Sequence, residues 1–100
     1  MAERRNPHPG EILKEEFLAE IGMSRNELAR AIGVPGNLIH AIVNGTRGVT
    51  ADTDLRLCKF FGPSGGYFLR LQNAHDTLDA KRRLSAEIAR IKPYKPARAA

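Results

Sequence analysis

The chain has 100 residues, 42% of them hydrophobic and 27% charged, with a formal net charge of +5. That length fits one domain, and no apolar run approaches the ~20 residues of a membrane-spanning helix. Arg4 and Arg5 have no apolar stretch behind them, unlike a secretory signal. The lone Cys58 excludes an internal disulfide and cannot by itself build a thiolate zinc site. The expectation is a reduced, cytoplasmic protein without a membrane anchor.

In chain order the sequence predicts five helices and no strand. Pro9 stands where a first helical residue belongs, with His8 as part of the cap. Leu13, Phe17 and Ile21 then recur every four residues, flanked by Ile12 and Leu18, and Gly22 ends the element. Ser24-Arg25-Asn26-Glu27 reads as a capping box. It opens a second helix that buries Leu28, Ala29 and Ile32 and stops at Gly33. Pro35-Gly36-Asn37 leads into a third helix with Ile39, Ile42 and Val43 inward, closed by Asn44-Gly45. Thr50 is the expected N-cap of a fourth, with Asp52 at the positive end of its dipole. Its expected inner face is Ala51, Leu55, Leu57, Cys58 and Phe61, ended by Gly62-Pro63. Ser64 is the expected cap of a fifth helix with Tyr67, Phe68, Leu71, Ala74, His75 and Leu78 on one face. Leu84, Ile88 and Ile91 continue the spacing but are rotated from that face. The domain division is a flexible arm over residues 1–7, a folded domain over 8–91 and a disordered basic tail over 92–100.

Charge is distributed unevenly. Residues 81–100 carry seven cations against Glu87 alone, a net of +6 that leaves −1 for the first 80 residues. The first helix is acidic, with Glu11, Glu15, Glu16 and Glu20 against Lys14. A basic chain suits an anionic partner such as nucleic acid. Catalysis finds no support: there is no paired acid and base, no nucleophile beside a base and no Gly-rich phosphate loop. His8, His40 and His75 lack ligand-like spacing, so neither a metal nor another cofactor is expected. Cys58 reads as a small buried filler.

The informative stretch is residues 23–50. Two short capped helices joined by a turn of about three residues at Gly33 have the helix-turn-helix layout, whose second helix enters the major groove. Spacing alone fits a plain αα-corner equally well. The stretch also resembles the Cro/repressor-type helix-turn-helix family at Leu28-Ala29, Gly33-Val34, Ile39 and Asn44-Gly45. His8-Pro9-Gly10-Glu11-Ile12-Leu13 before it is similar to the HigA (VapI-like) antitoxin branch. So are residues 44–53 and Leu69-Arg70-Leu71-Gln72-Asn73-Ala74 after it, and the likeness covers roughly residues 8–78.

The resemblance implies an all-α, five-helix lambda-repressor-like fold with an extended C-terminal helix. It implies an antitoxin that represses its own operon and neutralises a small mRNA-cleaving ribonuclease toxin; a stand-alone regulator without a toxin is the alternative. Carried over by position, Gly36, Asn37, Leu38, His40 and Ala41 face the bases of double-stranded DNA. Asn37 suits adenine, and Leu38 or Ala41 a thymine methyl. Arg25, Thr46 and Arg47 suit phosphate, with Asn44 beside them. A homodimer through Tyr67, Phe68, Leu71, His75 and Leu78 would match a palindromic operator. The acidic residues Glu11, Glu15, Glu16 and Glu20 are the expected toxin face. Two features depart from the family pattern: Leu38 and Ala41 are apolar, and Gly65-Gly66 replaces a Pro-acidic pair.

Overall fold

The computed structural model describes residues 4–97. Among them are five helices and no strand. The first, α1, is one continuous rod of three stretches, Pro9–Ile12, a π-helical segment Leu13–Leu18 and Ala19–Ile21. The others are α2 (Arg25–Ile32), α3 (Gly36–Val43), α4 (Ala51–Phe61) and α5 (Tyr67–Ala89). Residues 1–3 of the expected arm and 98–100 of the expected tail lie outside the described residues.

The local stop and start signals act as their chemistry dictates. His8 caps α1 through Nδ1, which accepts from the Gly10 N–H at 2.9 Å. Ser24 and Glu27 exchange both capping-box bonds, and Gly33 takes the left-handed φ of +74° that ends α2. Val34 N–H then returns to Ala29 O at 2.9 Å, closing the turn. Thr50 caps α4 through the Thr53 N–H.

The π-helical segment alters the expected face of α1. Its i→i+5 bonding puts residues five apart in register, so Leu13 and Leu18 are buried together. Phe17 is half-buried, and Ile21, expected to be the last core residue of that face, is 55% exposed. Phe17 still holds the aromatic centre, with ring centroids 4.9 Å from Phe61, 5.2 Å from Phe68 and 6.0 Å from Tyr67. Leu28, Ile32, Ile39, Ile42, Val49 and Leu57 complete the core around it.

The inner face of α4 also differs from expectation. Ala51 is exposed and Leu55 is 60% exposed, while Thr53 and Asp54 are buried beside Leu57 and Cys58. A carboxylate enters a core only when its acceptors are filled, and those of Asp54 are. Oδ2 accepts from Gly66 N–H at 2.7 Å, and Oδ1 from Phe68 N–H at 2.8 Å and Leu69 N–H at 3.1 Å. Asp54 thus caps α5, the role expected of Ser64. Gly66, at φ +96°, is the N-cap residue and has no side chain to offer.

Three long-range contacts position the motif. A Cβ at Gly10 would lie 1.8 Å from Ile42 O, so the start of α1 rests directly on the backbone of α3. Arg56 donates from Nη1 to Ile32 O at 2.8 Å and Gly33 O at 3.2 Å, satisfying carbonyls at the end of α2. Gln72 Oε1 on α5 accepts from Val49 N–H at 2.8 Å, holding the loop after α3. Helix α5, about 34 Å long at 1.5 Å per residue, makes the molecule elongated, 58 × 34 × 21 Å.

Candidate nucleic-acid interface

Helices α2 and α3 cross around Leu28, Ala29, Ile39 and Ile42, all buried. The start of α2 meets the outer side of α3 through Arg25, which contacts His40 and Asn44. Asn37, Asn44, Thr46 and Arg47 are exposed. Arg25, His40, Ala41 and Leu38 are half-buried, and Leu38 packs partly against the core. Gly36 offers only backbone at the first turn of α3, where the free N–H groups of a helix start can meet a phosphate.

Several of these side chains hold one another. Arg25 Nη1 is 3.4 Å from His40 Nδ1 and donates to Asn44 Oδ1 at 3.3 Å. His40 Nε2 lies 3.2 Å from Asn26 Oδ1. Thr46 Oγ1 donates to Ala41 O at 3.2 Å, tightening the end of α3. Both ring nitrogens of His40 are therefore engaged within the motif, whereas the sequence suggested a ring open to DNA. Asn26 and Arg56, which fix the motif, were missed because their partners lie 14 and 24 residues away.

Phe68 lies in the core and not at the dimer interface its sequence position suggests: its backbone N–H is pinned to Asp54 and its ring is wholly buried. Tyr67 and Leu71 are half-buried and also pack against that core. His75 is turned to the N-terminal arm: Nδ1 is 3.1 Å from Asn6 O, and Asn6 Nδ2 donates to His75 O at 2.9 Å. A carbonyl only accepts, so His75 carries a proton on Nδ1. Leu78 and Leu84 are half-buried, and Ile88 and Ile91 are 50% and 68% exposed. The arm residues expected to be flexible make further contacts, Arg5 with Glu11 and Arg4 O with Arg82.

The acidic residues of α1 divide. Glu11 is half-buried and paired with Arg5, while Glu15, Glu16 and Glu20 are exposed. At the N-cap, burial and the neighbouring His75 hold the His8 imidazole below its ordinary pKa, against a smaller opposing pull from Asp76. The Glu27 carboxyl is also held low, by its capping-box bonds to the backbone and hydroxyl of Ser24. No helix among the described residues is long and apolar enough to cross a membrane.

The geometry is that of a helix-turn-helix domain, and comparison with known proteins agrees. Residues 15–64 match the model of the Cro/C1-type HTH DNA-binding domain. Over 69 residues the chain is 48% identical to Virulence-associated protein I of Dichelobacter nodosus, covering 69% of this chain and 64% of that relative, just under two thirds of its length. It is 36% identical over 91 residues to Antitoxin HigA-1 of Vibrio cholerae serotype O1, covering 90% and 85% of the two chains. The structure of the Pseudomonas aeruginosa antitoxin HigA with higBA promoter superposes at a TM-score of 0.86, with 36% identity over 91% of this chain and all of that one. The chain belongs to the HigA antitoxin branch of the Cro/C1-type helix-turn-helix family, a family of DNA-binding regulators and not of enzymes.

Proposed function

We propose that the protein is an operator-binding antitoxin that represses its own operon and captures a small mRNA-cleaving toxin. One observation supports the DNA half most strongly. The buried crossing of α2 and α3 leaves Asn37, Asn44, Thr46 and Arg47 exposed, with Arg25 at the start of α2 bonded to Asn44 at the end of α3. A HigA relative of the same fold was solved with promoter DNA. Asn37 reads a base, most simply adenine through a bidentate pair. Arg25, Thr46 and Arg47 set register on the phosphates.

One reading helix per chain calls for two copies on a palindromic site, with half-sites one turn apart, about 34–36 Å. The dimer surface is the half-buried face of Tyr67, Leu71 and Leu78 on α5, with the exposed Ile88 and Ile91 on a second, rotated stripe beyond it. Beyond the stripe, the exposed basic segment adds affinity by counterion release without choosing sequence.

The toxin face is the outer side of α1. A ribonuclease must carry positive charge to hold RNA, and Glu15, Glu16 and Glu20 present the complementary sign. Ile21, exposed beside Glu20, supplies the apolar anchor that slows dissociation. Operator and mRNA-cleaving toxin both lie in the cytoplasm, where the protein acts.

The test combines a gel shift on the chain's own promoter with co-purification of the product of the adjacent gene. Binding to both, with the captured product toxic when expressed alone, is the expected result. Promoter binding without capture assigns a stand-alone regulator instead. Failure to shift the promoter rejects the DNA-binding reading.

A further inference from the structure

Arg25, His40, Asn26 and Asn44 link the two helices of the motif in a chain of contacts. Arg25 Nη1 stands 3.4 Å from His40 Nδ1 and 3.3 Å from Asn44 Oδ1, and His40 Nε2 stands 3.2 Å from Asn26 Oδ1. A guanidinium only donates, so His40 Nδ1 accepts. A ring that accepts on Nδ1 is neutral and carries its proton on Nε2, where it faces the Asn26 oxygen. All the roles close on one tautomer.

Gly36 adds an independent observation. A Cβ there would lie 2.8 Å from Asn26 Oδ1, so a bare first residue of α3 makes room for the Asn26 amide. The ring borders a groove of about 480 Å³ lined by Lys14 of α1, Arg25 and Asn26 of α2, and the apolar Leu18 and Met23. The charged groups facing His40 are thus both cations, and no carboxylate lines this groove among the described residues.

We infer that His40 is a positioning residue and not a base reader: its Nδ1 accepts from Arg25 and clamps the guanidinium beside Asn44 on the DNA-facing edge. The inference rests on the DNA-binding reading above. Removing the acceptor at Nδ1, 3.4 Å from the guanidinium, leaves Arg25 without its partner on α3. Arg25 then leaves its fixed place. Its charge remains available to any phosphate, so non-specific affinity holds or rises. The register it imposed is lost. Loss of the clamp lowers discrimination while overall attraction to DNA is kept.

The experiment measures binding of a selected operator duplex and of a scrambled duplex at fixed salt and neutral pH. His40→Phe, which removes the acceptor, should lower the ratio of the two affinities roughly threefold to tenfold, the scale of one modest hydrogen bond. Its affinity for the scrambled duplex should hold or rise. His40→Gln, whose amide can accept from Arg25 and donate to Asn26, should restore most of the ratio lost in His40→Phe. A His40→Phe ratio equal to wild type, or a His40→Gln ratio as low as that of His40→Phe, overturns the clamp. Nitrogen-15 spectra of the imidazoles in the free protein separate this from the reading beneath it. The Nε2–H form of His40 at neutral pH is expected, and the Nδ1–H form overturns the clamp whether or not DNA binds. A wild type that prefers no duplex overturns the DNA-binding reading, and this inference with it.

Discussion

The buried carboxylate of Asp54 accepts from the backbone N–H of Phe68 at 2.8 Å, joining α4 to the first turn of α5. With the Gly66 and Leu69 bonds it satisfies three donors that no local side chain reaches. Asp54→Ala leaves all three without a partner, and removing a buried acceptor of this kind costs about 3 kcal/mol or more. For a domain of this size the midpoint of thermal unfolding should drop by more than roughly 10 °C. Asp54→Asn keeps an acceptor for Phe68 but turns an amide donor toward Gly66, and should fall between the two. Equal midpoints for wild type and Asp54→Ala would remove Asp54 from this role.

Gly10 should tolerate no side chain. Its absent Cβ is replaced by the Ile42 carbonyl, so Gly10→Ala must lift α1 from α3. The expected result is a large loss of stability in urea, together with weakened DNA binding from a displaced reading helix. Gly22→Ala is the contrast: it meets nothing within 4 Å and suffers only the strain of its φ of +64°. A Gly10→Ala variant as stable as Gly22→Ala would contradict the close packing.

Stability should depend on pH through His8. Its folded pKa lies below the ordinary 6.5 because burial and His75 disfavour the charged ring, and Nδ1 must stay unprotonated to cap α1. As pH falls past 6.5 the unfolded chain takes the proton first. The stabilising contribution is therefore complete above that pH and is lost as pH falls through the folded value. Urea midpoints for wild type should decline across this window, and His8→Asn, which keeps a capping acceptor without titrating there, should flatten the decline. An identical slope in both proteins would assign the effect elsewhere.

The sequence shows clearly what is decided within a few residues. The Ser24–Glu27 box, the Gly33 stop and the Thr50 cap were all readable because each bond closes within one turn. The buried stripes of α2 and α3 follow from helical spacing in the same way. Asp54, Arg56 and Gln72 were not readable, since their partners lie 12 to 24 residues away and polar side chains look alike until the fold brings them together. The face of α1 misled for a different reason: π-helical bonding shifts Leu18 inward and Ile21 outward, a change of register that apolar spacing does not announce. The outer positions of α3 came from family resemblance, while the engagement of His40 by Arg25 and Asn26 required coordinates.

Charge reversal of the exposed acidic face tests toxin capture. Replacing Glu15, Glu16 and Glu20 with Lys should slow association with the toxin by at least tenfold at low salt, since steering by complementary charge acts on the association rate. All three side chains are exposed, so folding should be preserved, and DNA affinity should stay the same or rise. Stopped-flow capture rates equal to wild type would return these residues to a solvated role.

Selection from random duplexes tests most directly whether α3 reads a two-fold operator. Wild type should enrich a palindrome with half-sites one helical turn apart, about 34–36 Å. Asn37→Ala should relax one base position in each half-site, at a cost of about 1–3 kcal/mol. Arg47→Ala should weaken every sequence alike and lower the salt slope by about one. No enriched site, or a site whose preference at every position survives Asn37→Ala, would contradict the account.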